Sequence, residues 1–382
     1  MCIRDSPHPV GWRDVAFGHP LSANPIVLAR IYYPALDFGL QAEPDPASGP
    51  YPLVAFLHGY FAPPSFYDVL SGHIASWGFL VASIGTETGF FMNVPKQAQD
   101  THALLHWVEE TSQLPEAFLF GLPDPGPWSA VGHSNGGAAS FLLAADEPRV
   151  ETLVTMEPTY FGFPEAAQFD GRLLNIGGTA DSVNPPLSNA LVYHEADVPL
   201  AERKLYAEIQ GGGHNGSLDF PSALNPLPHG EQNRLHRLLV AGFLRAEVQG
   251  EESLYYELLG EGVGDEPIES RSACFTPPTW VAPSTQQPGS LSSGLAAFPG
   301  DTTLQAVSAA PAAVPTPFGT LGLDLTEGVG FVYAQGALGA EGLAEVQLPV
   351  GSGLTGLVVY FQSFAIGTTP GVLSGTTVLT LP

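Results

Sequence analysis

Uninterrupted apolar runs alternate with helix-spaced apolar positions up to about residue 250. The run at residues 53–57 (LVAFL) has the length and content of a strand that is buried on both faces. Further along, Val69, Leu70 and Ile74 fall on one face of a helix. This alternation predicts an α/β fold with a mostly parallel, doubly wound sheet that carries helices on both faces. Strands are predicted over residues 26–33, 53–57, 79–84, 128–131, 152–156, 172–176 and 204–209, and helices over residues 67–77, 97–110, 138–145 and 232–248.

The pattern changes after about residue 270, where helical periodicity disappears. Residues 274–290 are rich in Pro, Ser, Thr and Gln, which is typical of an extended linker. Beyond them, short β-like runs lie between Gly and Pro turns, and these predict a small all-β sandwich. The runs cover residues 303–308, 328–333, 354–364 and 376–381. The expected organisation is an α/β domain over 7–273, a linker over 274–290 and a sandwich domain over 291–382.

The composition indicates a folded chain and argues against nucleic acid as a binding partner. Hydrophobic residues make up 44% of the 382 residues and charged residues only 13%, which indicates a large core. Twelve Lys and Arg face 38 Asp and Glu, a formal charge of −26, so nucleic acid is not an expected partner. Apolar stretches are too short or too interrupted to span a bilayer, so no transmembrane segment is expected.

The opening segment bears on both protein targeting and disulfide formation. Residues 1–6 (MCIRDS) resemble a cloning or assembly scar, and they contain no apolar core of a signal peptide. Cys2 and Cys274 are the two cysteines of the chain, which is not a disulfide framework. Whether these two residues pair stays open at the level of sequence.

The main candidate for a catalytic motif is Gly132-His133-Ser134-Asn135-Gly136-Gly137. The apolar run before it and the sequence AASFLLAA after it predict a strand, a sharp turn and a helix. This is the setting of a nucleophile elbow, in which the turn lifts the Ser134 hydroxyl above the end of a sheet. The alternative is a Gly-rich strand-to-helix turn that carries no chemistry.

A serine nucleophile needs an imidazole base and a carboxylate that orients the base. Asp181 follows a predicted strand that ends in Gly-Gly, which makes it the preferred acid, with Glu157 and Asp197 as alternatives. His214 stands in a Gly-rich loop after a further strand and is the preferred base. The other histidines fit this role less well; His106, for example, falls within a predicted helix.

Backbone N–H groups are expected to stabilise an oxyanion beside Ser134. One donor is the N–H of Asn135, the residue after the nucleophile. The second is the N–H of Tyr60, in the loop that follows the strand at 53–57, where Gly59 permits a turn.

Several of these motifs together resemble one group of enzymes, the bacterial cutinases and polyester hydrolases (PETase-like), with related chlorophyllase-like and platelet-activating-factor-acetylhydrolase-like α/β-hydrolases. The resemblance covers about residues 10–250. It rests on the segments LHGY at 57–60, YDVLSGHIASWGFLV at 67–81, GHSNGG at 132–137, the loop that holds Asp181 and Gly213-His214. It implies a secreted serine esterase that works through an acyl-enzyme without a cofactor, on a small-molecule or polymeric ester. A lipase, an acetylhydrolase, a dienelactone-type hydrolase or a non-catalytic surface-binding protein are the alternatives.

The chain departs from the polyester-hydrolase pattern near the expected pocket. Asn135 stands where that group usually has Met, and the usual C-terminal disulfide pair is missing. Tyr60, Phe61 and Tyr160 are expected to wall the substrate pocket, with His133 beside the nucleophile. No calcium-loop pattern occurs, and no metal site is expected. The segments LVVYFQSF at 357–364 and LSGTTVLTLP at 373–382 resemble small β-domains at the ends of secreted planctomycete and myxobacterial proteins. Because this region follows a Pro- and Thr-rich linker, contact with a surface or polymer is a further expectation.

Overall fold

The computed structural model describes residues 7–220, 225–274, 278–326, 329–350, 354, 356–368 and 371–381. It divides into two compact units. The first unit comprises Met1–Leu200 and Tyr206–Leu244, and the second comprises Ala201–Leu205 and Arg245–Pro382. The opening segment at 1–6, with Cys2, lies outside the described residues, so its expected nature is not addressed by the structure.

The first unit is built on one large sheet. Its strands are β1 (Val10–Phe17), β2 (Val27–Pro34), β3 (Gly39–Leu40), β4 (Leu53–Leu57), β5 (Leu80–Ile84), β6 (Trp128–His133), β7 (Val150–Met156), β8 (Arg172–Gly178) and β9 (Arg203–Ile209). They lie in the order β9-β8-β7-β6-β4-β5-β2-β1-β3. The pairs β5-β4, β4-β6, β6-β7 and β7-β8 are parallel, whereas β2 pairs antiparallel with both β5 and β1. The predicted mostly parallel α/β fold is confirmed.

The helices connect these strands. They are α1 (Asp68–Ser76), α2 (Val94–Thr111), α3 (Asn135–Asp146), α4 (Ala190–Val192) and α5 (His229–Val248). The chain passes from β4 through α1 to β5, and then back through α2 to β6 on the other side of β4. Because such crossovers are right-handed, α1 lies on one face of the sheet, and α2 and α3 lie together on the other. The reversal at β4 leaves a crevice at the carboxyl ends of β4 and β6.

The second unit is all-β apart from short helical turns that include α6 (Tyr255–Leu258). Its strands are β10 (Ile268–Cys274), β11 (Thr279–Pro283), β12 (Ser290–Ala296), β13 (Thr302–Ser308), β14 (Pro311–Thr316), β15 (Gly319–Leu323), β16 (Gly330–Ala337), β17 (Leu343–Pro349), β18 (Val358–Ile366), β19 (Val372–Leu373) and β20 (Thr377–Thr380). One sheet has the order β11-β12-β17, and a second has β16-β13-β18-β19 with β20 on β18. Val281 and Leu291 from the first sheet share a core with Val359 and Phe361 from the second, as in a sandwich.

The expected linker contains a strand. β11 lies within residues 274–290 and pairs with β12 along its whole length. Trp280 and Val281 are both buried there, and since consecutive side chains of a strand point to opposite faces, both faces of the strand are covered at this point. The Pro and Thr residues that suggested a linker flank this short strand, and residues 275–277 lie outside the described part.

Among the described helices, none combines the length and the apolar content that are needed to cross a membrane.

Candidate active site

Ser134 stands between the last residue of β6 and the first residue of α3. Its backbone has φ 55° and ψ −120°, a left-handed conformation that residues with a side chain rarely adopt. Three backbone hydrogen bonds hold this strain. The Ser134 N–H donates to the carbonyl of Met156 (2.9 Å), and the N–H groups of Gly137 and Thr159 donate to the Ser134 carbonyl (3.0 Å each). The local geometry is that of a nucleophile elbow.

Glycine is required where the elbow packs against its neighbours. A Cβ at Gly136 would collide with the carbonyl oxygen of Leu57, at the end of β4. A Cβ at Gly132 would collide with the carbonyl of Gly136 itself. The absence of both side chains lets the first turn of α3 approach the carboxyl ends of β4 and β6.

Asp181 and His214 meet Ser134 at this edge of the sheet. Asp181 follows β8, and its Oδ1 accepts hydrogen bonds from the N–H groups of Val183 and Asn184, both at 2.8 Å. Its Oδ2 lies 2.8 Å from His214 Nδ1, and His214 Nε2 lies 3.0 Å from Ser134 Oγ. Because a carboxylate only accepts, the imidazole proton is assigned to Nδ1, which leaves the Nε2 lone pair facing the serine hydroxyl.

Side chains from two other elements hold the His214 loop by hydrogen bonds to the backbone of the loop. The N–H of Gly213 donates to Gln232 Oε1 on α5 (2.9 Å), and His133 Nε2 lies 2.7 Å from the His214 carbonyl oxygen. A carbonyl can only accept, so His133 carries its proton on Nε2. Its Nδ1 is then the acceptor for the Tyr67 hydroxyl at 2.8 Å. His133 is buried, and desolvation lowers its pKa well below the usual value, which keeps the ring neutral.

Comparison with known proteins finds chlorophyllases and cutinases as similar sequences. A family model described as Chlorophyllase matches residues 40–176, a range that includes Ser134. Cutinase 2 of Thermobifida cellulosilytica is 26% identical over 164 residues, which cover 43% of this chain and 60% of that protein. Cutinase cut1 of Thermobifida fusca is 26% identical over 43% of this chain and 50% of its own length. Chlorophyllase-2 of Arabidopsis thaliana is 26% identical over 264 residues, which cover 58% of this chain and 81% of that protein.

The chain is therefore similar to cutinases and to a chlorophyllase, and its fold is that of the α/β-hydrolases. It spans only 50% to 60% of the length of the two cutinases named above.

The first unit has a cleft of about 360 Å³ at Ser134. The described residues that line it are Tyr60, Ala62, His133, Ser134, Asn135, Thr159, Val183, Asn184, His214, Asn215 and Leu218. Tyr60 and Asn135, the expected sources of oxyanion N–H donors, therefore both border the cleft. The Tyr60 ring is half exposed, and its hydroxyl donates to the carbonyl of Phe90 (3.1 Å).

Two of the expected pocket residues lie elsewhere. Phe61 and Tyr160 are not among the described residues that line the cleft. Phe61 has φ 58° and is 51% exposed, and its ring lies 4.9 Å from that of Phe90. Tyr160 packs edge-on against Tyr193 with 5.4 Å between ring centroids. His133 does reach the cleft, but both of its ring nitrogens bond to protein atoms, so its contacts are with the scaffold of the site.

The alternative acids have other partners in the structure. Glu157 is buried, and its Oε1 lies 2.9 Å from His236 Nε2, not beside His214. Burial raises the pKa of Glu157, whereas the pKa of His236 is raised by Glu157 despite an opposing effect of burial. Asp197 hydrogen-bonds the hydroxyl of Tyr160 and raises its pKa. Of the three candidates, Asp181 is the one that contacts His214.

Thr159 and Asn184 also belong to the site, although neither was predicted from the sequence. Thr159 Oγ1 lies 3.5 Å from Ser134 Oγ and donates to Asn135 Oδ1 at 2.9 Å. Asn184 Nδ2 donates to the same threonine oxygen at 2.9 Å. This short network fixes the Asn135 side chain beside the nucleophile. The available signal was the position of Thr159 just after β7, next to the strand that ends at the elbow.

Proposed function

We propose that the protein is a serine hydrolase of carboxylic esters that works through an acyl-enzyme. The observation that carries the proposal is the continuous hydrogen-bonded path from Ser134 Oγ through His214 to Asp181, with distances of 3.0 and 2.8 Å. The similarity to cutinases and to a chlorophyllase supports an ester as the substrate. The strained elbow at Ser134 supports a nucleophile, because such strain is retained where it exposes a reacting group.

In the proposed reaction, Ser134 Oγ attacks the ester carbonyl carbon while His214 Nε2 takes the hydroxyl proton. Asp181 stabilises the resulting imidazolium through Nδ1–H. The N–H groups of Tyr60 and Asn135 stabilise the oxyanion, each contributing about 10²–10³ in kcat. His214 then returns the proton to the departing alkoxide, which leaves an acyl-Ser134. Water, activated by the same imidazole, hydrolyses this acyl group and restores the free serine.

We propose a hydrophobic or aromatic acyl group as the preferred substrate. Tyr60, Ala62, Val183 and Leu218 contribute apolar side chains to the lining of the cleft. Exposed Phe90 and its neighbour Phe91, which is 97% exposed, extend apolar surface next to Tyr60. Such surface favours a water-insoluble ester, including a polyester, over a small acetyl ester.

Labelling with a fluorophosphonate probe tests the serine mechanism. The wild-type chain should be labelled, and Ser134→Ala should not. Ser182→Ala is the matched control, because Ser182 is an exposed serine next to Asp181 and should leave labelling intact. Hydrolysis of p-nitrophenyl esters should fall on the order of 10⁶-fold in Ser134→Ala. A folded wild-type chain that is never labelled would favour the non-catalytic, surface-binding alternative.

A series of p-nitrophenyl esters from acetate to palmitate, together with a polyester film, tests the acyl preference. We expect kcat/KM to rise with chain length until the cleft is filled. A maximum at acetate would instead indicate an acetylhydrolase.

We also propose that the all-β unit contacts a polymer or cell surface and that the protein acts outside the cell. The resemblance of this unit to domains of secreted proteins supports both proposals. Fractionation of the source organism with an antibody against the protein tests the location.

A further inference from the structure

A cluster of metal-type ligands lies on the helices behind the sheet, apart from the cleft. His106 Nε2 is 3.1 Å from His102 Nε2 and 3.1 Å from Glu147 Oε2, and His102 Nε2 is 3.6 Å from the same carboxylate oxygen. Within the described residues this is the one group of three such side chains whose ligand atoms converge. We propose that His102, His106 and Glu147 bind a divalent transition-metal ion, with zinc as the best fit.

The helices explain why these side chains meet. His102 and His106 are four residues apart on α2, so they lie one turn apart on the same face. Helix α3 packs against α2 and ends at Asp146, so its C-cap Glu147 is carried to that face. The Glu147 N–H donates to the Leu143 carbonyl (2.9 Å), which fixes the residue in place.

The distances suit a tetrahedral ion. Ligand bonds of about 2.0–2.1 Å place neighbouring ligand atoms about 3.3 Å apart in tetrahedral zinc. The three separations of 3.1, 3.1 and 3.6 Å therefore bracket this value. Two imidazoles with one carboxylate favour zinc-class ions over magnesium or calcium, which prefer oxygen ligands. The imidazoles are partly exposed, so water can complete the coordination.

Charged neighbours hold the carboxylate: Arg149 Nη2 donates to Oε2, the proposed ligand oxygen, which keeps a second lone pair for the ion. Arg149 donates to Glu147 from its N–H, Nε and Nη2 at 3.1, 3.2 and 3.2 Å. The guanidinium is also paired with Glu109 at 2.9 Å and lies over the Trp128 ring. Two carboxylates thus face one guanidinium, which leaves net negative charge for an incoming ion. Outer contacts of this kind hold a metal ligand in its working orientation.

His19 lies near the cluster but is otherwise engaged. Its ring stacks on His106 at 6.3 Å between centroids. Its Nε2 faces Glu110 at 3.5 Å, and its Nδ1 accepts the N–H of Leu21 at 3.2 Å. His19 is therefore a matched control: a neighbouring histidine that should not be a ligand.

The ion would tie α2 to the end of α3. Ser134 precedes the first residue of this helix and Glu147 follows the last, which separates them by about 20 Å at 1.5 Å per residue. The proposed role is to stabilise the helix pair, with no part in ester chemistry, and it does not depend on the proposed function. The spacing His-x₃-His in a helix was the sequence signal, although sequence analysis expects no metal.

Titration of the full chain with zinc and with cobalt tests the site. The chain should lack an affinity tag of histidines and be freed of metal with a chelator. Calorimetry should show one equivalent of zinc, cobalt should give a visible ligand-field band, and zinc should raise the Tm. His102→Gln and Glu147→Gln should each weaken binding more than about 10-fold. His19→Gln should bind as the wild type does.

Two outcomes would overturn the proposal. Absence of stoichiometric zinc binding would show that the three side chains form only a hydrogen-bonded cluster. Binding that persists unchanged in folded His102→Gln and Glu147→Gln would place the ion elsewhere. Circular dichroism of each metal-free variant establishes that it is folded, and ester hydrolysis without metal should be unchanged in all of them.

Discussion

Tyr67 connects the two halves of the proposed active site through a single hydroxyl. That hydroxyl donates to His133 Nδ1 (2.8 Å) and accepts the N–H of Gly59 (3.0 Å). Gly59 precedes Tyr60, the proposed oxyanion donor, and His133 in turn donates to the His214 carbonyl. One buried side chain therefore positions both the donor loop and the loop of the base.

Replacement of this hydroxyl should cost both stability and turnover. We expect Tyr67→Phe to destabilise the fold by about 1–3 kcal/mol, because it leaves buried polar groups without a partner. We also expect kcat to fall about 10-fold, since small displacements of reacting groups are costly, with little change in KM. Steady-state kinetics and urea unfolding measure the two effects.

Tyr51→Phe is the matched control for this prediction. Tyr51 is equally buried, and its hydroxyl donates to the carbonyl of Asp45, away from the cleft. It should lose stability but keep its kcat. If Tyr67→Phe also kept its kcat, the proposed positioning role would be wrong.

The sequence predicts a functional residue when a local turn sets its role. It does not predict residues that only tertiary contacts bring to the site. Ser134, Asp181 and His214 each follow a strand in a Gly-containing segment, and the structure brings them together. For Thr159 the only local signal is its position shortly after β7, and Tyr67 carries none. Their contacts with the site span 25 and 66 positions of sequence, so only the folded sheet brings them together.

At the scale of elements, long apolar strands were predicted almost to the residue. The strand at 53–57 matches β4, because every side chain in it is buried and no polar position blurs its ends. β1 was missed. Its sequence VGWRDVAF mixes buried and exposed positions without a regular period, since it lies towards the antiparallel edge of the sheet.

Asp219 connects the segment after β9 to α1, and its partly buried carboxylate is costly to ionise. It lies in the segment between β9 and α5, and its Oδ2 accepts the N–H of Val69 in the first turn of α1 (2.9 Å). Its Oδ1 is buried and has no hydrogen-bond partner among the described residues. Burial raises the pKa of this carboxyl from 3.8 to about 6. The folded state therefore holds a proton that the unfolded state has already released.

The sign of the pH dependence follows from this difference. A raised pKa gives stability that is present below about pH 4 and is lost as the pH rises through about 6. Asp219→Asn keeps the acceptor for Val69 but carries no charge. We expect it to stabilise the fold by about 1–2 kcal/mol at about pH 8, after allowance for solvent screening. The gain should vanish at about pH 4.

Urea unfolding at both pH values measures this effect. Asp170→Asn is the control, because Asp170 is an exposed carboxyl and its replacement should change little at either pH. Equal stabilisation by Asp219→Asn at both pH values would contradict the electrostatic account, because it would not require a charge.

At the scale of the whole molecule, composition indicated two regions, and the structure also divides into two compact units, with other bounds. The shift towards Pro, Ser and Thr near residue 274 reflects turns within the second unit, whereas that unit already includes Arg245 onwards and Ala201–Leu205. No composition signal separates residues 201–205 (AERKL) from the first unit, because they run directly into the strand at Arg203–Ile209. Which unit they join is decided by tertiary contacts.

This boundary matters for any test of surface binding by truncation. Trp280 is buried in the second unit, where its indole lies on Gly294 and donates to Glu345 (3.0 Å). Deletion of residues 283–382 removes both partners and leaves the indole without cover. Removal of packing around a buried tryptophan typically costs about 3–5 kcal/mol. We expect the truncated chain to aggregate, as measured by soluble yield and gel filtration.

Point variants of the full-length chain test surface contact without disturbing the fold. Phe331 and Val378 lie on strands of the second unit and are 64% and 56% exposed, so Phe331→Ser and Val378→Thr should leave the fold intact. If the second unit contacts polymers through exposed apolar side chains, these full-length variants should adsorb less to a polyester film. Their hydrolysis of a soluble ester should equal that of the wild type. If the chain without residues 283–382 were soluble and monomeric, Trp280 would not need the cover that β12 and β17 provide. Truncation would then be the simpler test of surface binding.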